Sequence, residues 1–195
     1  MRPTIYTVGD SHAIHAWCKI PGVSARSIGP MLMHSFNEAK APHIIQDIPD
    51  DGIIVFSWGE IDCRCHVKKH EPWRETVDKL AADYIETIVE LTKNLGQEIW
   101  VYNVVPPPRK GVFIESEGFP LVGTDEERLD YARRMNYRLR QRCAKNGLIF
   151  VDVFEEYADE NGFLRLEMSD GHVHIADEKP LQDWIERRFA DASPR

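Results

Sequence analysis

Short apolar runs alternating with longer amphipathic segments constrain this chain more than any other feature. The runs are residues 5–8, 53–57, 99–105 and 148–154, rich in Val, Ile, Phe and Tyr. They have the length and composition of strands buried on both faces. Residues 43–48 form a weaker fifth candidate. The clearest helix is expected over 74–95. From Val77, apolar residues recur at Leu80, Ala81, Tyr84, Ile85, Ile88 and Val89, one stripe of a 3.6-residue period. Gly96 follows as its expected stop. A second helix should begin at Thr124, where Thr124-x-x-Glu127 forms a capping box, and end near Gly147. A third is expected over about 177–190, with Leu181, Trp184, Ile185 and Phe189 on one face. Strands alternating with helices imply an α/β fold with a mainly parallel sheet.

The chain has 195 residues, which favours a single domain spanning 1–195. A folded chain of this length should expose ~9,500 Å² and bury enough surface for a core without disulfide or metal staples. Residues are 43% apolar and 29% charged, and the net charge is −8. That balance suits a globular protein and disfavours a nucleic-acid partner, which would need a basic face. No apolar run approaches the ~18 residues of a membrane span, so no membrane partner is expected. The start is interrupted by Gly9, Asp10 and Ser11 and does not read as a signal peptide. Cys18, Cys63, Cys65 and Cys143 do not suggest a disulfide scaffold. The expected location is the cytoplasm, with reduced thiols.

In parallel sheets, chemistry gathers at the C-terminal ends of strands. Three polar clusters fall at or near such places. Val8-Gly9-Asp10-Ser11-His12 ends the first run. A serine at a strand-to-helix turn is exposed at the top of the sheet, but it needs a base to act as a nucleophile; plain turn chemistry explains the same tripeptide. After residue 57 comes Trp58-Gly59-Glu60-Ile61-Asp62-Cys63-Arg64-Cys65-His66, which also reads as a solvated loop with an Asp62–Arg64 pair. Near the C-terminus lies Ser169-Asp170-Gly171-His172-Val173-His174. A carboxylate near an imidazole can orient the ring. The same doublet also reads as surface histidines or half of a metal site. The connection 106–123 holds three consecutive prolines and four further glycines or prolines. A loop this long is usually functional or mobile.

Together these segments resemble the SGNH, or GDSL-type, serine hydrolase family. Gly9-Asp10-Ser11 matches its first block, and Gly29 in Ser27-Ile28-Gly29-Pro30 is the candidate for its second. Gly59-Glu60-Ile61-Asp62 is similar to its Gly-x-Asn-Asp block. Asp170 and His174 match its last. The resemblance implies a three-layer α/β/α, flavodoxin-like fold and a triad of Ser11, His174 and Asp170. It also implies an oxyanion and substrate site drawn from Gly29, Gly59 and Asp62.

Two departures stand out. Ile61 occupies the place of the family's oxyanion-donating asparagine, and its side chain has no donor. Arg64, or else His66, is the expected replacement. Asp170 lies four residues before His174 and two before His172, where the family places three; His174 is the expected base and His172 the runner-up. The expected activity is hydrolysis of an O-acyl ester, O-acetyl in the first instance, on a small molecule or saccharide, with no cofactor. The alternative is a weakened or inactive domain binding a glycan or protein.

The remaining clusters read as structure. Cys63-x-Cys65-His66-x-x-x-His70 lacks common zinc spacing, so no metal site is expected. Cys18 and Cys143 read as core residues, Trp58 and Trp73 as packing, Asn136 and Arg133 as helix-surface groups, and Glu60 as a solvated carboxylate.

Overall fold

A computed structural model describes residues 2–115 and 118–192. Five parallel strands form one sheet: β1 (Ile5–Gly9), β2 (Val23–Ser27), β3 (Ile53–Ser57), β4 (Glu98–Tyr102) and β5 (Ile149–Val151), in the order β2-β1-β3-β4-β5. The helices are α1 (Met33–Ala39), α2 (Trp73–Thr92), α3 (Asp125–Asn146), α4 (Phe154–Tyr157) and α5 (Lys179–Ala192).

Residue alternation along the strands divides the core into two layers. Val8, Ile54, Phe56, Ile99 and Val101 pack with Phe36, Leu80, Tyr84, Ile88, Met135 and Leu139 of α1, α2 and α3. Ile5, Ile53, Val55, Trp100 and Tyr102 point the other way, onto Trp17, Tyr157, Leu181 and Ile185. Because successive strand side chains face opposite sides, this division is the three-layer α/β/α architecture. The accessible surface, 9506 Å², is what one closed globule of this mass exposes.

The strand order reverses at β1. From β1 the chain passes to β2 on one side and then to β3 on the other. Such a switch point opens a crevice at the strands' C-terminal ends. Backbones approach closely there: a Cβ at Gly9 would lie 2.0 Å from the Ser57 carbonyl oxygen. Gly59, just past β3, has φ +112°, and a Cβ there would meet Met33 and Val104 at 2.7 and 2.9 Å.

Helix ends follow their caps. The Thr124 hydroxyl accepts from the Glu127 N–H while the Glu127 carboxylate accepts from the Thr124 N–H, and Gly147 closes α3 in the left-handed conformation. α2 ends at Thr92, before Gly96, and the Leu95 N–H turns back onto the Thr92 carbonyl.

Two strand expectations are corrected. Residues 43–48 are not a strand. Pro42 opens a 3-10 turn, Pro42–Ile44, and Ile44, Ile45 and Ile48 enter the core as a knot of turns. The second strand is instead Val23-Ser-Ala-Arg-Ser27, an edge strand half-buried throughout, with too few apolar residues to read as one. The run 99–105 leaves the sheet after Tyr102. There Asn136, far from being a surface group, clamps Val104 from α3. Its Oδ1 accepts from the Val104 N–H at 2.7 Å and its Nδ2 donates to the Val104 carbonyl at 2.7 Å. Cys18 is exposed, not core, whereas Cys143 is buried. Trp58 is buried and stacks on Phe36 at 4.3 Å. Among the described residues, no helix is long and apolar enough to cross a membrane.

Candidate active site

Ser11 opens a single 3-10 turn, Ser11–Ala13, directly beyond β1. Asp10 caps it: its buried carboxylate accepts from the His12 N–H at 2.8 Å and faces His12 Nδ1 at 3.2 Å. From inside β1 the Thr7 hydroxyl donates to the Ala13 carbonyl. The turn is therefore anchored on both sides, and Ser11 is presented at the crevice. Its own N–H has no acceptor among the described residues.

The C-terminal cluster reaches Ser11 through a tight loop. Ser169 and Ile175 pair across it in antiparallel fashion, the Asp170 N–H donates to the His174 carbonyl, and the His172 N–H donates to Asp170 Oδ1 at 2.9 Å. This fold-back places the residues four apart face to face, which accounts for the unusual spacing. His174 Nδ1 lies 2.9 Å from Asp170 Oδ2, and His174 Nε2 lies 3.0 Å from Ser11 Oγ. His172 turns away: its Nδ1 faces the Ile114 carbonyl at 3.2 Å.

Two further imidazoles surround His174. His15 stacks on it, with ring centroids 3.9 Å apart and planes 4° from parallel. His12 lies at 5.1 Å. Neither was assigned a role from sequence; the signal was their position one and four residues beyond Ser11 on one turn. Burial, then the charge on His12, push His174 down to about 4, against the opposing pull of Asp170. His174 is thus neutral near pH 7 and able to accept a proton. For His12 burial acts downward, but the Asp10 hydrogen bond and the Asp10 and Glu60 charges outweigh it and raise the ring overall. Asp170 is lowered: burial opposes ionisation, but the His174 ring and the His172 N–H overcome it.

Three residues expected to bind oxyanion or substrate have other contacts. The Gly29 N–H donates to Ser27 Oγ at 3.1 Å, within its own turn. Gly59 supplies the left-handed conformation described above. Asp62 is buried and caps α1 from a distance. Its Oδ2 accepts from the Met33 N–H at 2.7 Å and its Oδ1 from the His34 N–H at 3.4 Å, satisfying donors that every helix start leaves open. Burial raises its carboxyl to about 6, despite those N–H groups.

Arg64 lines the cleft with Ser11 but is tied down. Its Nε is 2.9 Å from Glu60 Oε1, both side chains being 5–6% exposed, and its Nη1 donates to the Phe119 carbonyl at 2.8 Å. Glu60 is therefore a buried ion-pair partner rather than a solvated carboxylate. No Asp62–Arg64 pair forms, because Asp62 faces α1.

The cleft holds about 230 Å³. Ser11 and His174 line it on one side, Pro30, Ile61 and Arg64 on another, and Ile114 and Phe119 of the 106–123 connection on a third. Ile61 thus contributes an alkyl group to the lining of the cleft. A metal could also find ligands here, since donor atoms of His15, Asp170 and His174 lie within 4.8 Å of one another. Such an ion would compete with the Asp170–His174 hydrogen bond.

No family model matches the sequence, and neither does any curated protein at a significant level. Solved structures match in shape. A GDSL-like lipase from Bacteroides thetaiotaomicron has a TM-score of 0.68 at 15% identity, covering 98% of this chain and 90% of that one. A phospholipase A1 from Streptomyces albidoflavus has a TM-score of 0.62 at 8% identity, with 96% and 99% covered. The OSK domain of Drosophila Oskar has a TM-score of 0.61 at 13% identity, with 93% and 86% covered. At these identities the likeness establishes the fold.

Proposed function

We propose that this chain, which has the SGNH hydrolase fold, is a serine esterase that removes a short O-acyl group, acetyl in the first instance. The observation that carries the reading is the His174 ring, held between Ser11 Oγ at 3.0 Å and Asp170 Oδ2 at 2.9 Å. Nucleophile, base and orienting carboxylate in hydrogen-bond sequence are the requirement for activating a serine.

His174 Nε2 takes the hydroxyl proton as Ser11 Oγ attacks the ester carbonyl. Asp170 accepts from Nδ1–H, fixing the tautomer and offsetting the charge of the imidazolium. The Ser11 N–H, without another acceptor, meets the developing oxyanion. His174 then protonates the departing alcohol. Water, deprotonated by the same nitrogen, releases the acid and restores the serine.

The size of the cleft supports a short acyl group, because ~300–1,000 Å³ is needed for larger ligands. For the alcohol half we propose a saccharide hydroxyl, met by His172, which lines the cleft beside His174. Hydrolysis of p-nitrophenyl acetate tests the reading. Ser11→Ala should abolish turnover, and activity persisting in that variant would refute the assignment.

One second reading has specific support. Ile61 offers no donor and the Gly29 N–H is engaged by Ser27, so the oxyanion site is poorer than the fold allows. A lost oxyanion donor typically costs about 10²–10³ in kcat. A domain that binds an ester or glycan in this cleft with weak or no turnover follows from those two observations. Saccharide binding without acetate release would select it.

A further inference from the structure

Beyond the cleft, three histidines converge around a separate hollow on the α1–α2 side. We propose that His66 and His70 bind a late first-row transition-metal dication, Zn²⁺ or Cu²⁺.

His66 Nε2 and His70 Nε2 lie 3.1 Å apart at the protein surface. Two imidazole nitrogens at that separation need one proton or one cation between them. A Zn²⁺ bonded at ~2.0–2.1 Å to each nitrogen would see them at an angle of about 100°, between the square-planar and tetrahedral values. The pair is therefore already spaced as two ligands of one ion. The His34 ring runs nearly parallel to that of His66, 15° between planes and 6.3 Å between centroids. All three rings line a hollow of about 220 Å³ floored by Leu80.

The surroundings suit a cation. Lys79, at the rim, is held by Asp83 at 2.5 Å. The thiols of the same segment take no part: Cys63 is buried, and Cys65 Sγ donates to the Ile61 carbonyl at 3.1 Å. An imidazole-only donor set favours copper and zinc over magnesium or calcium.

The two ligands flank the Val67–Lys69 turn, His66 closing the Asp62–His66 turn before it and His70 following it. Binding there does not depend on any step of esterolysis.

The test is titration of the intact protein with ZnCl₂ or CuCl₂, by calorimetry and by the visible absorption of the copper complex. A His15→Ala background removes the other possible donor set, His15, Asp170 and His174. One equivalent should bind. Residues that only orient a metal ligand change affinity ~10–100-fold, so loss of a direct ligand in His66→Ala or His70→Ala should weaken binding at least about tenfold. The metal should raise the unfolding temperature of the parent but not of either variant. His70→Ala, on the exposed side, decides alone if His66→Ala fails to fold. Absence of saturable binding, or equal affinity in parent and His70→Ala, overturns the proposal.

Discussion

Replacing Arg64 by Met separates two roles for this guanidinium. Arg64 and Glu60 form an ion pair with both side chains 5–6% exposed, and Arg64 also holds the Phe119 carbonyl. Removing one partner of a buried pair costs ~3–5 kcal/mol, chiefly because the other charge is left without compensation. A chain of this size loses ~2–4 °C in Tm per kcal/mol, so Arg64→Met should lower Tm by roughly 6–20 °C. Adding Glu60→Gln removes the stranded charge, and the double variant should recover most of that loss. Calorimetry gives the stability and hydrolysis of p-nitrophenyl acetate gives kcat. If Arg64 is structural, kcat returns with stability in the double variant. A double variant that is stable yet still depressed about 10²-fold or more in kcat would refute this reasoning and restore Arg64 as an oxyanion donor.

Three further outcomes are expected. His174, held at about 4, stays neutral through mildly acidic pH; the acid limb of kcat/KM should therefore lie near 4, and a limb near 6.5 contradicts the account. Asp62 titrates at about 6 in the folded protein and near ~3.9 when unfolded, so the folded state holds more protons between those values. The stability this supplies is present below pH ~4 and lost as pH rises through 6, a change of about 3 kcal/mol; the stability difference between wild type and Asp62→Asn, followed by urea unfolding, should shrink by about that amount from pH 4 to 7. Asn136→Leu strands the Val104 N–H and should cost ~1–3 kcal/mol, measured the same way, whereas an unchanged midpoint would show that the clamp is dispensable.

The sequence was most legible where one physical requirement dominates. Strands buried on both faces must be apolar throughout, so β1, β3 and β4 were readable; the edge strand β5 was readable from its Ile-Phe-Val run, and α3 from its capping box. β2 was not, because an edge strand needs no apolar run, and Val23-Ser-Ala-Arg-Ser27 has none. The isoleucines of 43–48 read as a strand although their burial is served by turns after Pro42. Local reading also favoured near neighbours. It paired Asp62 with Arg64, whereas Asp62 reaches α1 29 residues away and Arg64 pairs with Glu60, one helical turn back. Asn136 looked like surface because its partner, Val104, lies 32 residues distant. Ser11, Asp170 and His174 were singled out through resemblance. The Ser169–Ile175 pairing, which no sequence spacing announces, turns Asp170 onto His174.

The most direct measurement is covalent labelling with a fluorophosphonate, located by peptide mass spectrometry. An activated Ser11 should carry the adduct stoichiometrically in the wild type, and His174→Ala should not label. A correctly folded wild-type protein whose Ser11 stays unmodified, or a His174→Ala variant that labels equally fast, would contradict an esterase built on that hydrogen-bonded trio.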